Sequence, residues 1–276
     1  MISETDFWEE FPWKDRGNPD KEDPVKREAR TRQKTREIQG GLRKQKKFGD
    51  LLRKGQNYMT KKELAELRRA EKLEKEKARV EALCEFEKKY AFCTNICGVD
   101  EVGRGPLAGP VMAGAVILPK DARILYINDS KKLTAKRREE LYDVILREAV
   151  ATGIGSVSPE RIDEINILQA AYEAMREAVS KLSVVPDLLL VDAVHIPDIS
   201  IRQVSIVKGD AKSQSIAAAS IIAKVTRDRL MVEYDRLMPE YHFASNKGYG
   251  TREHIEALKK YGPCPIHRRT FITRYI

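Results

Sequence analysis

The sequence predicts an α/β protein: a mixed five-stranded sheet flanked by helices, with an N-terminal charged arm that is either helical or disordered. Three features predict it. Strand-like and helix-like segments alternate after Cys93, the composition changes abruptly at that point, and the chain is 42% hydrophobic, enough for a sizeable core. We place an extension over 1–94, helical over about 61–90, and an α/β domain over 95–276.

The arm has two parts of opposite sign. Residues 1–25 hold 8 Asp and Glu against 3 Lys and Arg, with Trp8, Phe11 and Trp13 among them, whereas 26–80 hold 20 Lys and Arg against 8 acids. The basic part has few large apolar side chains and cannot bury enough surface to fold alone. Thr60-Lys61-Lys62-Glu63 fits a capping box, and Leu64, Leu67, Leu73, Val80, Leu83 and Tyr90 recur at roughly helical spacing, so a long charged helix is expected. A solvated helix docked on the domain and a nucleic-acid-binding arm both fit this charge, as both fit the net +9 of the chain.

In the domain, apolar runs at 96–102, 111–118, 153–157, 188–191 and 201–207 read as five strands. Thr134 caps a helix reaching about 150, residues 167–182 are amphipathic, and 211–238 form a long helix with a closely packing, Ala-rich start and Asp210 as its N-cap. No apolar run approaches the roughly 18 to 20 residues that span a bilayer, and the start, Met1-Ile2-Ser3-Glu4, is unlike a secretory signal; a cytoplasmic protein without membrane contact is expected. Cys84, Cys93, Cys97 and Cys264 lack zinc-ribbon spacing and disulfide density, and read as reduced structural thiols.

Chemistry points to the acids. Asp100 and Glu101 interrupt an apolar strand, where uncompensated carboxylates are costly to bury. Asp192 closes the run Leu188-Leu189-Leu190-Val191 at the carboxyl end of its strand, the usual place for functional groups in α/β sheets. If these strands are neighbours, like charges about 4 Å apart repel by roughly 4 kcal/mol, which protonation or a cation must relieve. Carboxylates without Cys or His clusters favour Mg²⁺ or Mn²⁺, and two such ions activate water and stabilise a leaving oxygen in phosphodiester hydrolysis. Gly103-Arg104-Gly105 with Gly109 approximates a dinucleotide-binding loop, but Pro106, Pro110 and the strand that follows leave no room for the required helix. There is no Walker loop, and His195, His242, His254 and His267 have no metal-ligand spacing.

The stretch 98–110, Asp129-Ser130-Lys131-Lys132-Leu133, Lys208-Gly209-Asp210, the stretch 215–228 and Gly248-Tyr249-Gly250-Thr251 together resemble the signatures of the ribonuclease HII family, in that family's order over about 97–271. The resemblance implies a ribonuclease H-like fold and hydrolysis of the RNA strand of RNA·DNA hybrids. It also implies 5′ incision at single ribonucleotides embedded in duplex DNA, as in ribonucleotide excision repair, leaving 5′-phosphomonoesters. It assigns Asp100, Glu101, Asp192 and Asp210 as catalytic acids that hold divalent Mn²⁺ or Mg²⁺. It assigns Gly103, Arg104 and Gly105 to the scissile ribonucleotide and Tyr249 to the junction. Lys131 and Lys132 either contact phosphate or form a solvated turn. A monomer is expected, with hybrid and ribonucleotide-containing duplex as partners; replication machinery is an open partner. Two other readings are a non-catalytic nucleic-acid binder and another ribonuclease H-like enzyme, such as a transposase. The four acids argue against the first, and the Gly-Arg-Gly and Gly-Tyr-Gly stretches against the second.

Overall fold

The computed structural model describes residues 60–276. The acidic segment and most of the basic one, residues 1–59, lie outside the described residues. From Glu71 onward the chain forms one compact unit.

The capping box forms as the sequence predicts: Thr60 N donates to the Glu63 carboxylate at 2.8 Å, and Glu63 N to the Thr60 hydroxyl at 3.3 Å. The helix is not continuous to 90. It runs as α1, Lys61–Leu83, breaks at Cys84 (φ −90°, ψ 20°), and resumes as α2, Glu85–Lys89. Val80, Leu83 and Cys84 are buried at the break, and Phe86 and Tyr90 beyond it pack on Ile96, Leu188 and Leu190. The break turns the apolar side of α2 onto the sheet, an arrangement that one straight charged helix cannot make.

Five strands follow: β1 (Ile96–Val102), β2 (Val111–Ile117), β3 (Ala151–Val157), β4 (Leu188–Asp192) and β5 (Gln203–Ile206). Their order is β3-β2-β1-β4-β5, antiparallel across β3-β2-β1 and parallel across β1-β4-β5. The sheet is therefore mixed, and its helices cover both faces. The helix α3 (Ala135–Glu148) starts at Thr134, whose hydroxyl accepts from Arg137 N. On one face, Ala170, Ala174 and Ala178 of α4 (Pro159–Ser180) pack against Val99, Val111 and Ala115; on the other, the Ala-rich start of α5 (Gln214–Leu237) packs against Val116. Alternate strand residues thus feed opposite layers. A Cβ at Gly98 would lie 2.0 Å from the backbone of Ser215, so only glycine lets α5 approach β1 this closely.

Two helix starts differ from expectation. The helix α4 begins at Pro159 behind the Ser158 cap, eight residues before the expected 167, and is interrupted at Asn166 (φ 69°), whose side chain accepts from Leu168 N and Gln169 N. Asn166 is in effect a second cap, so the amphipathic period marks only the later piece. Asp210 does not cap α5. That role belongs to Ser213, whose hydroxyl accepts from Ile216 N, while Asp210 lies in a preceding 3-10 turn, Gly209–Ala211. Three further helices, α6 (Phe243–Asn246), α7 (Arg252–Tyr261) and α8 (Arg269–Ile272), complete the chain. All four cysteines are free and buried, and no described helix is long and apolar enough to cross a membrane.

Candidate active site

The parallel pairing of β1 with β4 decides where the acids meet. The register ends with Val99 opposite Val191, and the next residues on the two strands are Asp100 and Asp192. Asp100 is buried. Its Oδ1 accepts from Glu101 N at 2.8 Å, and the nearby Ser220 hydroxyl of α5, paired with the Ser130 hydroxyl at 2.9 Å, also favours the ionised form. These donors do not offset the site: burial first, then Glu101, then Asp192 hold the Asp100 carboxyl well above the usual carboxylate range.

Asp192 and Asp210 are linked through backbone. Asp192 Oδ1 accepts from Gly209 N at 2.6 Å, so the 3-10 turn that carries Asp210 is moored to the end of β4. The Asp210 carboxyl is raised by burial, by Asp129 and by Asp192, against the opposing pull of Lys131. Asp129 is therefore a fifth acid at the site that the sequence reading quoted without a role. Its side chain also accepts from Lys131 N at 2.9 Å, shaping the turn that presents Lys131. Among the described residues no three Asp, Glu, His or Cys side chains meet in ligating geometry. A buried carboxylate with two acidic neighbours and an all-oxygen donor set nevertheless fits a hard divalent cation.

A cleft of about 420 Å³ opens beside these acids, lined by Asp100, Glu101, Arg104, Lys131, Ser220 and Tyr249 among others. Lys132 does not line it; its ammonium is exposed, 3.9 Å from Asp129. Arg104 reaches back to Glu101 at 3.3 Å. Lys224, unmentioned by sequence reasoning, lines the cleft and pairs with Asp228 at 2.7 Å. Its place on α5 one turn after Ser220 is the signal that was available.

The loop after β1 rests on two arginines, both fully buried and, among the described residues, without a carboxylate partner in hydrogen-bond range. Arg268 donates to the carbonyls of Gly103 (2.6 Å), Arg104 (3.0 Å) and Gly109 (3.0 and 2.8 Å). Arg227 donates to Pro110 (2.9 Å), Ala108 (3.0 Å) and Lys247 (2.9 Å), joining this loop to the turn that precedes Tyr249. Burial, then Arg227, lower the Arg268 guanidinium to about 9. Because the Gly103 and Arg104 carbonyls point at Arg268, the trans peptides aim the N–H groups of Arg104 and Gly105 away from it. Gly103 has φ 91°, and a Cβ there would sit 2.4 Å from Arg227 Nε. The Tyr249 ring lies over Gly105, 3.8 Å from where a Cβ would be.

Comparison with known proteins gives the family. The family model described as Ribonuclease HII matches residues 97–274. A ribonuclease HII of Lachnoclostridium phytofermentans is 68% identical over 204 residues, 74% of this chain and 80% of that one. The crystal structure of ribonuclease H2 from Pyrococcus horikoshii superposes with a TM-score of 0.55 at 30% identity, over 64% of this chain and 93% of that one. The PCNA:RNase HII complex from Archaeoglobus fulgidus gives 0.54 at 29% identity, over 64% and 94%. With its mixed sheet, its helices on both faces and these matches, the chain belongs to the ribonuclease HII family of nucleases.

Proposed function

We propose that this nuclease hydrolyses the RNA strand of RNA·DNA hybrids and incises 5′ to single ribonucleotides embedded in duplex DNA, with Asp100, Glu101, Asp192 and Asp210 holding divalent metal, Mn²⁺ or Mg²⁺. The observation that carries the reading is the buried Asp100, placed beside Asp192 by the parallel β1-β4 pair and beside the Gly103–Gly105 loop by chain continuity. Bound in pairs, such ions supply an activated water and neutralise the leaving oxygen. Water adds to phosphorus and the P–O3′ bond breaks, leaving a 3′-hydroxyl and a 5′-phosphate on the ribonucleotide.

The protein groups bind and orient. Arg104 and Lys131 meet the phosphates, Lys132 the outer backbone, and the N–H groups of Arg104 and Gly105 are free of the carbonyl network and available to the 2′-hydroxyl and phosphate. The Tyr249 ring packs on the adjacent sugar and favours a deoxyribose there over a second ribose. The solved relative bound to PCNA supports a sliding-clamp contact as a separate proposal. Cleavage of a duplex with one ribonucleotide, against all-DNA and all-RNA duplexes and with each metal, tests the reading: incision 5′ to the ribonucleotide with intact controls is expected, and cutting of all-DNA duplex at a similar rate contradicts it.

A further inference from the structure

Behind the Tyr249 turn lies a buried pair of imidazoles that the proposed chemistry does not use. His254, on α7, and His267 are both buried, with Nε2 atoms 3.0 Å apart. One end of this link is fixed by backbone. Cys264 N donates to His267 Nδ1 at 3.0 Å, so that nitrogen carries no proton and His267 is protonated on Nε2. His254 Nε2 must then accept, which leaves the proton of His254 on Nδ1, 2.8 Å from the Tyr249 carbonyl oxygen. The directions of three consecutive hydrogen bonds thus follow from one backbone N–H. The chain of bonds ends on the residue whose ring lies over Gly105 and lines the cleft.

We propose that His254 is a positioning residue for junction recognition: held in its Nδ1–H form by His267, it grips the Tyr249 carbonyl and fixes the height of the ring above the Gly103–Gly105 loop. The inference rests on the reading of Tyr249 given above. His267 is followed by Arg268, whose guanidinium holds the Gly103 and Arg104 carbonyls. One dipeptide therefore braces both recognition loops from behind, and their spacing is set by covalent geometry together with hydrogen bonds. The same carbonyl also accepts from Thr251 N at 2.8 Å, so the turn persists without His254 while its orientation loosens.

The test compares kcat/KM on a duplex with one ribonucleotide and on a long hybrid, for the full chain, three single variants and one double variant. Tyr249→Ala should lower the single-ribonucleotide to hybrid ratio about tenfold. His254→Leu should lower it similarly, and the double variant no further. His254→Asn, whose amide N–H takes the place of Nδ1–H, should recover most of the ratio, although both His254 variants lose the bond to His267 and melt earlier. A wild-type ratio in His254→Leu, with a lowered one in Tyr249→Ala, overturns the positioning role alone. An unchanged ratio in Tyr249→Ala overturns the underlying reading and this inference with it. Should His254→Leu fail to fold, ¹⁵N NMR of the wild-type imidazoles decides: His254 protonated on Nδ1 and His267 on Nε2 is expected, and the reverse tautomers contradict the proposal.

Discussion

At the scale of single residues, Asp100 makes function and stability oppose one another. A carboxyl whose folded value is raised stabilises the fold when protonated, and that contribution is lost as pH rises above its ordinary value of 3.8. Near neutrality the ionised, metal-free site is therefore a cost. Asp100→Asn should raise the melting temperature of metal-free protein, by about 2–4 °C for each 1 kcal/mol relieved, and should blunt the further rise that Mn²⁺ gives the wild type. An earlier melt of the variant in chelator would contradict this. Asp210→Asn should impair cleavage and likewise not lower the melting temperature, because its carboxyl is also raised and Ser213, not Asp210, caps α5. Asp100, Glu101 and Asp192 stood out in the sequence because carboxylates within or at the end of apolar strands need an explanation, whereas Asp210 read as a helix cap and joined them only through the family resemblance. Asp129 did not stand out, since an acid in a polar turn looks like any other until Asp210 is found beside it.

At the scale of elements, most of the sheet was legible and most capping detail was not. Apolar runs located all five strands; β1, β2 and β4 are buried over most of their length, whereas β3 is buried at alternate residues and β5 mainly at Ile206. The Asn166 interruption, the Cys84 break and the Ser213 cap depend on which backbone groups tertiary neighbours leave unpaired, and periodicity does not report that. The close approach of α5 to β1 yields a stability prediction: Gly98→Ala should cost about 1–3 kcal/mol or more in a denaturant melt, since the intruding methyl would meet backbone and not a movable side chain. The C-terminal histidines were dismissed because sequence spacing was tested only for metal binding. Folding pairs them instead, facing Tyr241 and Cys264, with Arg269 acting on His267 and Glu240 on Cys264. Burial lowers His254, and lowers His267 from 6.5 to about 4. The neutral pair therefore contributes stability above pH 6.5 that is lost as pH falls through about 4, because the unfolded chain takes up protons first. Melting temperature should decline across that window in the wild type and more gently in His267→Asn; parallel declines would contradict the assignment.

At the scale of the whole molecule, the family was readable because its signatures fall on elements that meet at one cleft: β1 and its loop, the turn carrying Ser130 and Lys131, α5 through Ser220 and Lys224, and the Tyr249 turn, with Lys208-Gly209-Asp210 moored to the end of β4. Two buried arginines tie the loop after β1 to the turn before Tyr249 through main-chain carbonyls, and sequence alone gave no sign of that, since a basic residue in a basic chain reads as surface. The basic stretch 26–80, with its surplus over acids, calls for a separate measurement. Removing residues 1–59 should leave kcat near normal, raise KM at moderate salt and flatten the dependence of hybrid affinity on salt; an unchanged slope would mean that this segment does not meet phosphate. The most direct test of the acidic site is the single-turnover rate of Asp100→Asn on a duplex with one ribonucleotide in saturating Mn²⁺. The account predicts a loss of about 10³-fold or more with an intact fold, and near-normal turnover would contradict it.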